Sequence, residues 1–281
     1  MLLARADRTM LVSALRARRL DRTLTTALPT VDPHDDQAIG STGVPAMDAR
    51  LGGGLPRGHL SEIVGPRSSG RTSLLLQVMA AATSRGELVA VVDALDMLDV
   101  ASLAAAGVDL QRLLWIRGHV VTSPGLCRDL NGRAMEQAVK ALGLVLQAGN
   151  FGLVVLDVGD APHDAVRRLP FTTWLRLQRM VEGSQTIGVL AGDAPMSRSS
   201  AGLTILLQPA SGTPRRALGA GSGVGLIGEL SGGLGGGLNT AGRFDGRLLD
   251  GLDVEARVSR ARVRASDAAP LPIATRTACH V

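Results

Sequence analysis

Aromatic residues are nearly absent from this chain: they make up 2% of 281 residues, and there is no tyrosine. Single-stranded nucleic acids are commonly held by stacking bases on aromatic faces, and so little aromatic surface argues against that as the main mode of holding a strand. Cysteine is as scarce. Cys127 and Cys279 lie far apart and match no metal-binding or redox spacing, so a reducing cytoplasm is expected. No unbroken apolar run approaches the ~20 residues a membrane helix requires. The arginines near the N-terminus are not followed by an apolar segment and a small-residue cleavage site, so neither a membrane span nor a signal peptide is expected. Lysine is reduced to Lys140, yet the formal charge is +5 because arginine is abundant. A polyanionic partner is compatible with that balance.

What the chain has is a glycine-bounded loop between an apolar strand and an apolar helix. Leu60–Val64 leads into Gly65, Pro66, Arg67, Ser68, Ser69, Gly70, Arg71, Thr72 and Ser73, and Leu74–Ala80 follows. The spacing is that of G-x-x-x-x-G-K-[ST] with one change. Terminal glycines let several backbone N–H groups turn inward, and the helix behind aims the positive end of its dipole at the same point. Such a loop holds the phosphates of ATP or another nucleotide, and Thr72 is placed to offer its hydroxyl to Mg2+. Arg71 stands where the motif has lysine. It keeps the charge, but arginine is longer, planar and suited to forked contacts, so it fits a transferring phosphoryl group poorly.

Taken in order, residues 1–37 read as a basic amphipathic helix and a linker. Leu11, Leu15 and Leu20 form a stripe among Arg5, Arg8, Arg16, Arg18, Arg19 and Arg22. A solvated helix on the domain and a docking arm for another subunit, a partner or nucleic acid are both compatible with this pattern. Ser41 or Thr42 is expected to cap a short helix ending at Leu51, where a glycine cluster stops it. Beyond the phosphate loop, strands at 88–93, 113–116, 151–157 and 186–191 alternate with helices at 97–106, 133–147 and 175–181. This alternation predicts an α/β fold with a mostly parallel central sheet flanked by helices. The core is expected over 38–210, with its final strand in 247–264. The stretch 211–246 is glycine-rich and reads as a flexible insert, and 265–281 reads as a loose tail.

The segment from Gly40 to about Gly118 resembles the RecA recombinase family. STG at 41–43, LGGGLPRG at 51–58, EIVGPRSSGRTS at 62–73, VDALDMLD at 92–99 and GVDLQRLLWI at 107–116 recur in the family's order. More weakly, the likeness runs through FGLVVLD at 151–157 to the strand at 254–263. It implies a RecA-like phosphate-loop core. It places Asp99 beside the adenine and Asp157 at the Walker B strand end, within water-mediated reach of magnesium. Asp93 is expected to be structural, and the scattered histidines non-catalytic.

Departures from the family are as informative. The family's water-orienting glutamate corresponds to Leu95, which cannot activate water. The γ-phosphate-sensing glutamine is replaced by Gly192-Asp193. The two DNA loops shorten to GDAPHDAVRR at 159–168 and GDAPMSRSS at 192–200, leaving Arg167 and Arg168 as the candidate DNA contacts. No counterpart of the family's C-terminal domain is expected. These losses resemble those of ImuA-type proteins, RecA-like accessory factors of translesion synthesis. The resemblance implies DNA recombination, repair or SOS damage tolerance, with inefficient ATP hydrolysis. It also implies DNA, in single-stranded form, another copy of the chain, or a polymerase-like protein as partners. An active DNA-dependent recombinase and an interaction protein with a vestigial site are the alternatives.

Overall fold

The computed structural model describes residues 38–120, 128–159, 161–197, 202–210, 253–261 and 269–274. The expected N-terminal helix and linker, the glycine-rich insert and most of the expected tail lie outside them.

An eight-stranded sheet is the centre of the molecule. In chain order its strands are β3 (Leu60–Val64), β4 (Val89–Asp93), β5 (Leu113–Arg117), β6 (Leu153–Asp157), β7 (Ile187–Gly192), β8 (Leu203–Pro209), β9 (Asp253–Ala261) and β10 (Leu271–Ala274). Across the sheet they run β10-β9-β8-β3-β7-β6-β4-β5. The six strands from β8 to β5 are parallel, while β9 and β10 add antiparallel pairs. A separate short pair, β1 (Ile39–Gly40) and β2 (Leu55–Pro56), closes the turn before β3. The mostly parallel α/β sheet is the architecture expected of the alternating pattern. Residues 271–274 differ: within the stretch read as a tail they form an edge strand on β9, so β9 is not the last strand.

Among the described residues six helices accompany the sheet: α1 (Pro45–Leu51), α2 (Arg71–Ser84), α3 (Val100–Ala105), α4 (Arg128–Ala148), α5 (His163–Arg167) and α6 (Phe171–Val181). Strands β3, β4 and β7 are buried along their whole length, as parallel strands covered on both faces must be. Their side chains alternate between two cores. Ile63, Val89, Val91 and Val155 meet Leu75, Val78 and Met79 of α2 on one face. Leu60, Val92, Val154 and Leu156 meet Met135 and Leu142 of α4 and Trp174 and Leu177 of α6 on the other. Trp174 thus belongs to the core.

Several boundaries move for physical reasons. The N-cap of α1 is Val44, without a side-chain cap. Ser41 Oγ and Thr42 Oγ1 instead donate to the Asp48 carboxylate at 2.5 and 2.7 Å, so the serine and threonine hold the first turn through its acid rather than through the helix amides. The helix read over 97–106 is confined to α3, because Asp99 caps it and starts it late. Helix α4 begins five residues earlier than its apolar periodicity indicates. Residues 163–167, read as part of a loop, form α5.

Beneath the sheet edge, Glu87 is fully buried and accepts from Arg57 Nη2 at 2.5 Å and Arg85 Nε at 2.9 Å. Arg57 also donates to the carbonyls of Ile39 and Gln185. One carboxylate therefore ties the β1–β2 turn, the end of α2 and the approach to β7 together.

Candidate functional site: a phosphate loop at the strand ends

The parallel strands bring their C-terminal ends to one edge of the sheet. Val64 is in register with Gly192, Ala191 with Asp157, and Asp157 with Asp93. Ligand sites of parallel α/β sheets sit outside this edge. With β7 between them, β3 and β6 are two strand spacings, roughly 10 Å, apart. The sequence-expected groups Gly65–Ser73 and Asp157 are thus assembled on one rim.

The loop after β3 has the backbone of an anion nest. Ser68 and Gly70 both take positive φ, 60° and 81°. Gly70 caps α2 in the left-handed region with no side-chain cap, so the first-turn amides are presented toward the loop. Glycine is needed here twice over, because a Cβ would press on Val254 of β9. The Ser69 hydroxyl is buried with no hydrogen-bond partner among the described residues. An orphan hydroxyl beneath a nest at the start of a 14-residue helix fits a phosphate. Pro66, Arg67 and Ser68 are exposed along the outer lip, Ser73 is half-buried, and Thr72 is exposed on the first turn of α2.

Arg71 is 9% exposed, and its Nη1 donates to the Gly65 carbonyl at 2.6 Å. The guanidinium is folded back onto the backbone of its own loop.

At the neighbouring strand ends, Asp157 Oδ1 accepts from Gly159 N at 2.8 Å. Gly159 has no room for a side chain because Leu95 lies against it, so the leucine occupies space beside the Asp157 strand end. Leu95 packs on the apolar cluster of Val92 and Leu156. Asp93 is buried, accepting from Leu98 N at 2.8 Å and Trp115 Nε1 at 3.3 Å, which is a structural use. Beyond it, Arg117 grips Asp96 with two hydrogen bonds of 2.6 and 2.7 Å and lies over the Trp115 ring. The Arg117 hydrogen bonds hold the Asp96 carboxyl below its usual range. Asp99 accepts from Ser102 Oγ at 2.6 Å and Ser102 N at 2.8 Å; the hydroxyl, then the amide, lowers its pKa. Among the described residues no group of three or more His, Cys, Asp or Glu is arranged to hold a metal ion. A magnesium ion would rest on Thr72, Asp157 and the nucleotide's own phosphates.

Arg167 ends α5 and Arg168 is its C-cap. Arg168 Nη1 lies 3.7 Å from Asp129 Oδ1, while Arg167 borders a cavity with His163 and Asp193. The sequence reading missed Glu62. Buried on β3, it accepts from Met196 N and Ser197 N at 2.8 and 2.7 Å and from Thr204 Oγ1 at 3.0 Å. Its place in the EIVG run was visible, but its partners lie more than 130 residues away.

Residues 27–162 match the family model of the RecA N-terminal domain. Over those residues, a little under half of the chain, it is similar to the RecA family. Protein RecA of Bordetella petrii is 40% identical over 125 residues, covering 44% of this chain and 31% of that protein. Protein RecA of Streptomyces avermitilis is 36% identical over 126 residues, covering 44% and 30%. That of Chlorobium chlorochromatii is 39% identical over 122 residues, covering 43% and 30%. The chain thus spans about a third of the length of the curated relatives it matches. The RecA-family match takes in β1 to β6, with the phosphate loop, Asp99 and Asp157, and ends just before α5.

Proposed function

We propose that the chain is a RecA-like nucleotide-binding protein of DNA recombination, repair or SOS damage tolerance, an ImuA-type accessory factor of translesion synthesis that retains nucleotide and hydrolyses it little or not at all. What supports this reading is the loop after β3, whose backbone suits a phosphate and whose cation is engaged by the loop itself: Arg71 donates to the Gly65 carbonyl. Binding needs the nest, the helix end and the Ser69 hydroxyl, which fit a phosphate. Turnover needs a cation free to follow the γ-phosphoryl group and a group that orients water. Leu95 supplies neither charge nor hydrogen bond beside Asp157.

In this reading Gly65–Ser73 hold the phosphates of ATP or a related nucleotide, Thr72 and Asp157 serve Mg2+, and Asp99 borders the base. Nucleotide then acts as a structural ligand that stabilises the binding-competent shape by mass action. Function proceeds through contacts with another copy of the chain, a polymerase-like protein, or single-stranded DNA in the cytoplasm. No helix of the described residues is long and apolar enough to cross a membrane. Arg167 and Arg168 are the candidate DNA contacts; Arg168 would exchange Asp129 for phosphate.

Calorimetric titration with Mg-ATP and Mg-ADP, alongside phosphate release with and without single-stranded DNA, tests the proposal. Binding with negligible release supports it. Strong DNA-stimulated release would make the protein a working recombinase ATPase. Absence of nucleotide binding would make the site vestigial and the protein a pure interaction module.

A further inference from the structure

Gly65 and Gly70 frame the phosphate loop, and both lie against strands from outside the RecA-matched residues 27–162. Val64 of β3 is in parallel register with Leu206 of β8, which brings Gly65 beside Leu207. A Cβ at Gly65 would collide with the Leu207 carbonyl. A Cβ at Gly70 would lie 3.0 Å from Cγ1 and 3.3 Å from Cγ2 of Val254, on β9. Strands β8 and β9 are themselves joined, with Leu207 opposite Ala256 and Pro209 opposite Val254. The pair thus forms a wall behind the loop, with a backbone oxygen at one glycine and a branched side chain at the other.

Val254 is 2% exposed, yet it belongs to neither of the two apolar cores. Ala256 and Val258, further along the same strand, do join the core shared with α2. The branched side chain of Val254 is set instead against the N-cap of α2. Gly70 needs such support. It takes a φ of 81° with no side-chain cap, and glycine is freer than any other residue to leave the conformation it holds. If Gly70 turned, the first amides of α2 would no longer converge on one point. A site whose shape is fixed before the ligand arrives loses less to ordering when it binds.

We propose that Val254 is a positioning residue of the phosphate loop. Carried by the β8–β9 pair, it holds the N-cap of α2 in the left-handed region and keeps the first-turn amides aimed at a phosphate. It acts through shape and not through a contact with the ligand, so it serves any phosphate that enters the loop, whatever base is attached. The proposal rests on the reading of this loop as a nucleotide site, and it adds to that site a residue from beyond the RecA-matched segment.

The test is calorimetric titration of the full chain with Mg-ADP and with magnesium pyrophosphate, which has the phosphates and no base. Val254→Ala removes the methyl groups that face Gly70 and should weaken both probes by the same factor, about tenfold, or 1.4 kcal/mol. Val254→Leu, which moves the branch away from Gly70 and keeps an apolar side chain, carries the same expectation where alanine unfolds the chain. Val254→Thr keeps the branched shape but buries a hydroxyl. It should lower the thermal midpoint and still bind both probes as wild type does, a separation that a merely stabilising residue would not produce. Val258→Ala, in the core further along β9, should lower the midpoint and leave both affinities unchanged. Four outcomes would overturn the proposal and leave the nucleotide reading intact: wild-type affinity in the alanine or leucine variant, a loss confined to Mg-ADP, a loss in Val254→Thr as large as in Val254→Ala, or an equal loss in Val258→Ala. Failure of the wild-type chain to bind either probe would overturn both.

Discussion

Arg71 and Gly65 are joined by a 2.6 Å hydrogen bond from guanidinium to carbonyl that closes the phosphate loop upon itself. A phosphate entering the nest competes with that carbonyl for the same cation. The bond holds the guanidinium on the backbone of its own loop, and in the proposed function that keeps its charge from a reacting γ-phosphate. Steady-state phosphate release should therefore be negligible with or without single-stranded DNA. Arg71→Lys alone should not restore it, because Leu95 still stands beside Asp157. Arg71→Lys combined with Leu95→Glu should raise turnover by about 10²–10⁴ over either single variant, the range of a recovered general base. Equal rates in all three would show that more of the catalytic apparatus is lost than these two residues.

Metal dependence separates Thr72 and Asp157 from the rest of the nest. Thr72→Ala and Asp157→Asn should each weaken nucleotide binding in magnesium and leave the metal-free affinity, measured in chelator, nearly unchanged. A loss of the same size in both conditions would assign them to loop structure. Asp157 is the more exposed to that outcome, since it also accepts the Gly159 amide.

Asp99 gives a pH signature. The Ser102 hydroxyl and amide stabilise its charged form, so its carboxyl titrates below the ordinary carboxylate range. Protons bind more readily to the unfolded chain, and the stabilisation is therefore present above the ordinary carboxylate pKa and fades as pH falls through the depressed one. The thermal midpoints of wild type and Asp99→Ala should differ at neutral pH and converge in acid. A gap that stays constant with pH would mean that the charge on the cap contributes nothing.

Glu87, immediately before β4, is a buried ionic tie to Arg57 and Arg85. Truncation to alanine leaves the Arg57 guanidinium, 5% exposed, buried beside no carboxylate. Breaking a buried pair in this way costs about 3–5 kcal/mol. Urea denaturation of Glu87→Ala should show a loss in that range; a loss below about 1 kcal/mol, the scale of an exposed pair, would mean that water reaches the site.

The sheet, the strand–loop–helix over 60–84 and the strand-end positions of Asp93 and Asp157 were legible because their signals are local. Apolar runs of strand length, glycines at fixed offsets and Asp157 closing FGLVVLD all lie within a few residues of the elements they mark. The fold of Arg71 onto Gly65 was not legible, since the motif gives the charge and not its direction. Residues 159–168 were read as a loop because Gly159 and Pro162 signal turns, yet Pro162 is the N-cap of α5, where its missing N–H removes no hydrogen bond of the helix. The Glu87 cluster and the cavity beside Trp174 depend on residues 30 or more positions apart coming together, which no window of sequence contains.

Glu62 carries the last prediction. It lies on β3, three residues before Gly65, and its carboxylate is 1% exposed. One oxygen takes two amides of the loop after β7, and the other takes the Thr204 hydroxyl on β8. Hydrogen bonds to an ionised acceptor are worth more than neutral ones, and amides left buried without an acceptor cost about 1–3 kcal/mol each. Glu62→Ala should therefore destabilise the protein by several kcal/mol and open the segment around Met196 to protease before the rest of the chain. Glu62→Gln keeps an oxygen for the Met196 and Ser197 amides, and its NH2 can donate to the Thr204 hydroxyl. It should retain most of the stability and the protection. Because β3 runs directly into the phosphate loop, loosening this tie should also reduce nucleotide-dependent protection of the 193–197 loop, measured by limited proteolysis with and without Mg-ATP. If Glu62→Ala matches wild type in both stability and protection, the loop is held by its apolar contact through Met196, and Glu62 is not the link between the two ends of the site.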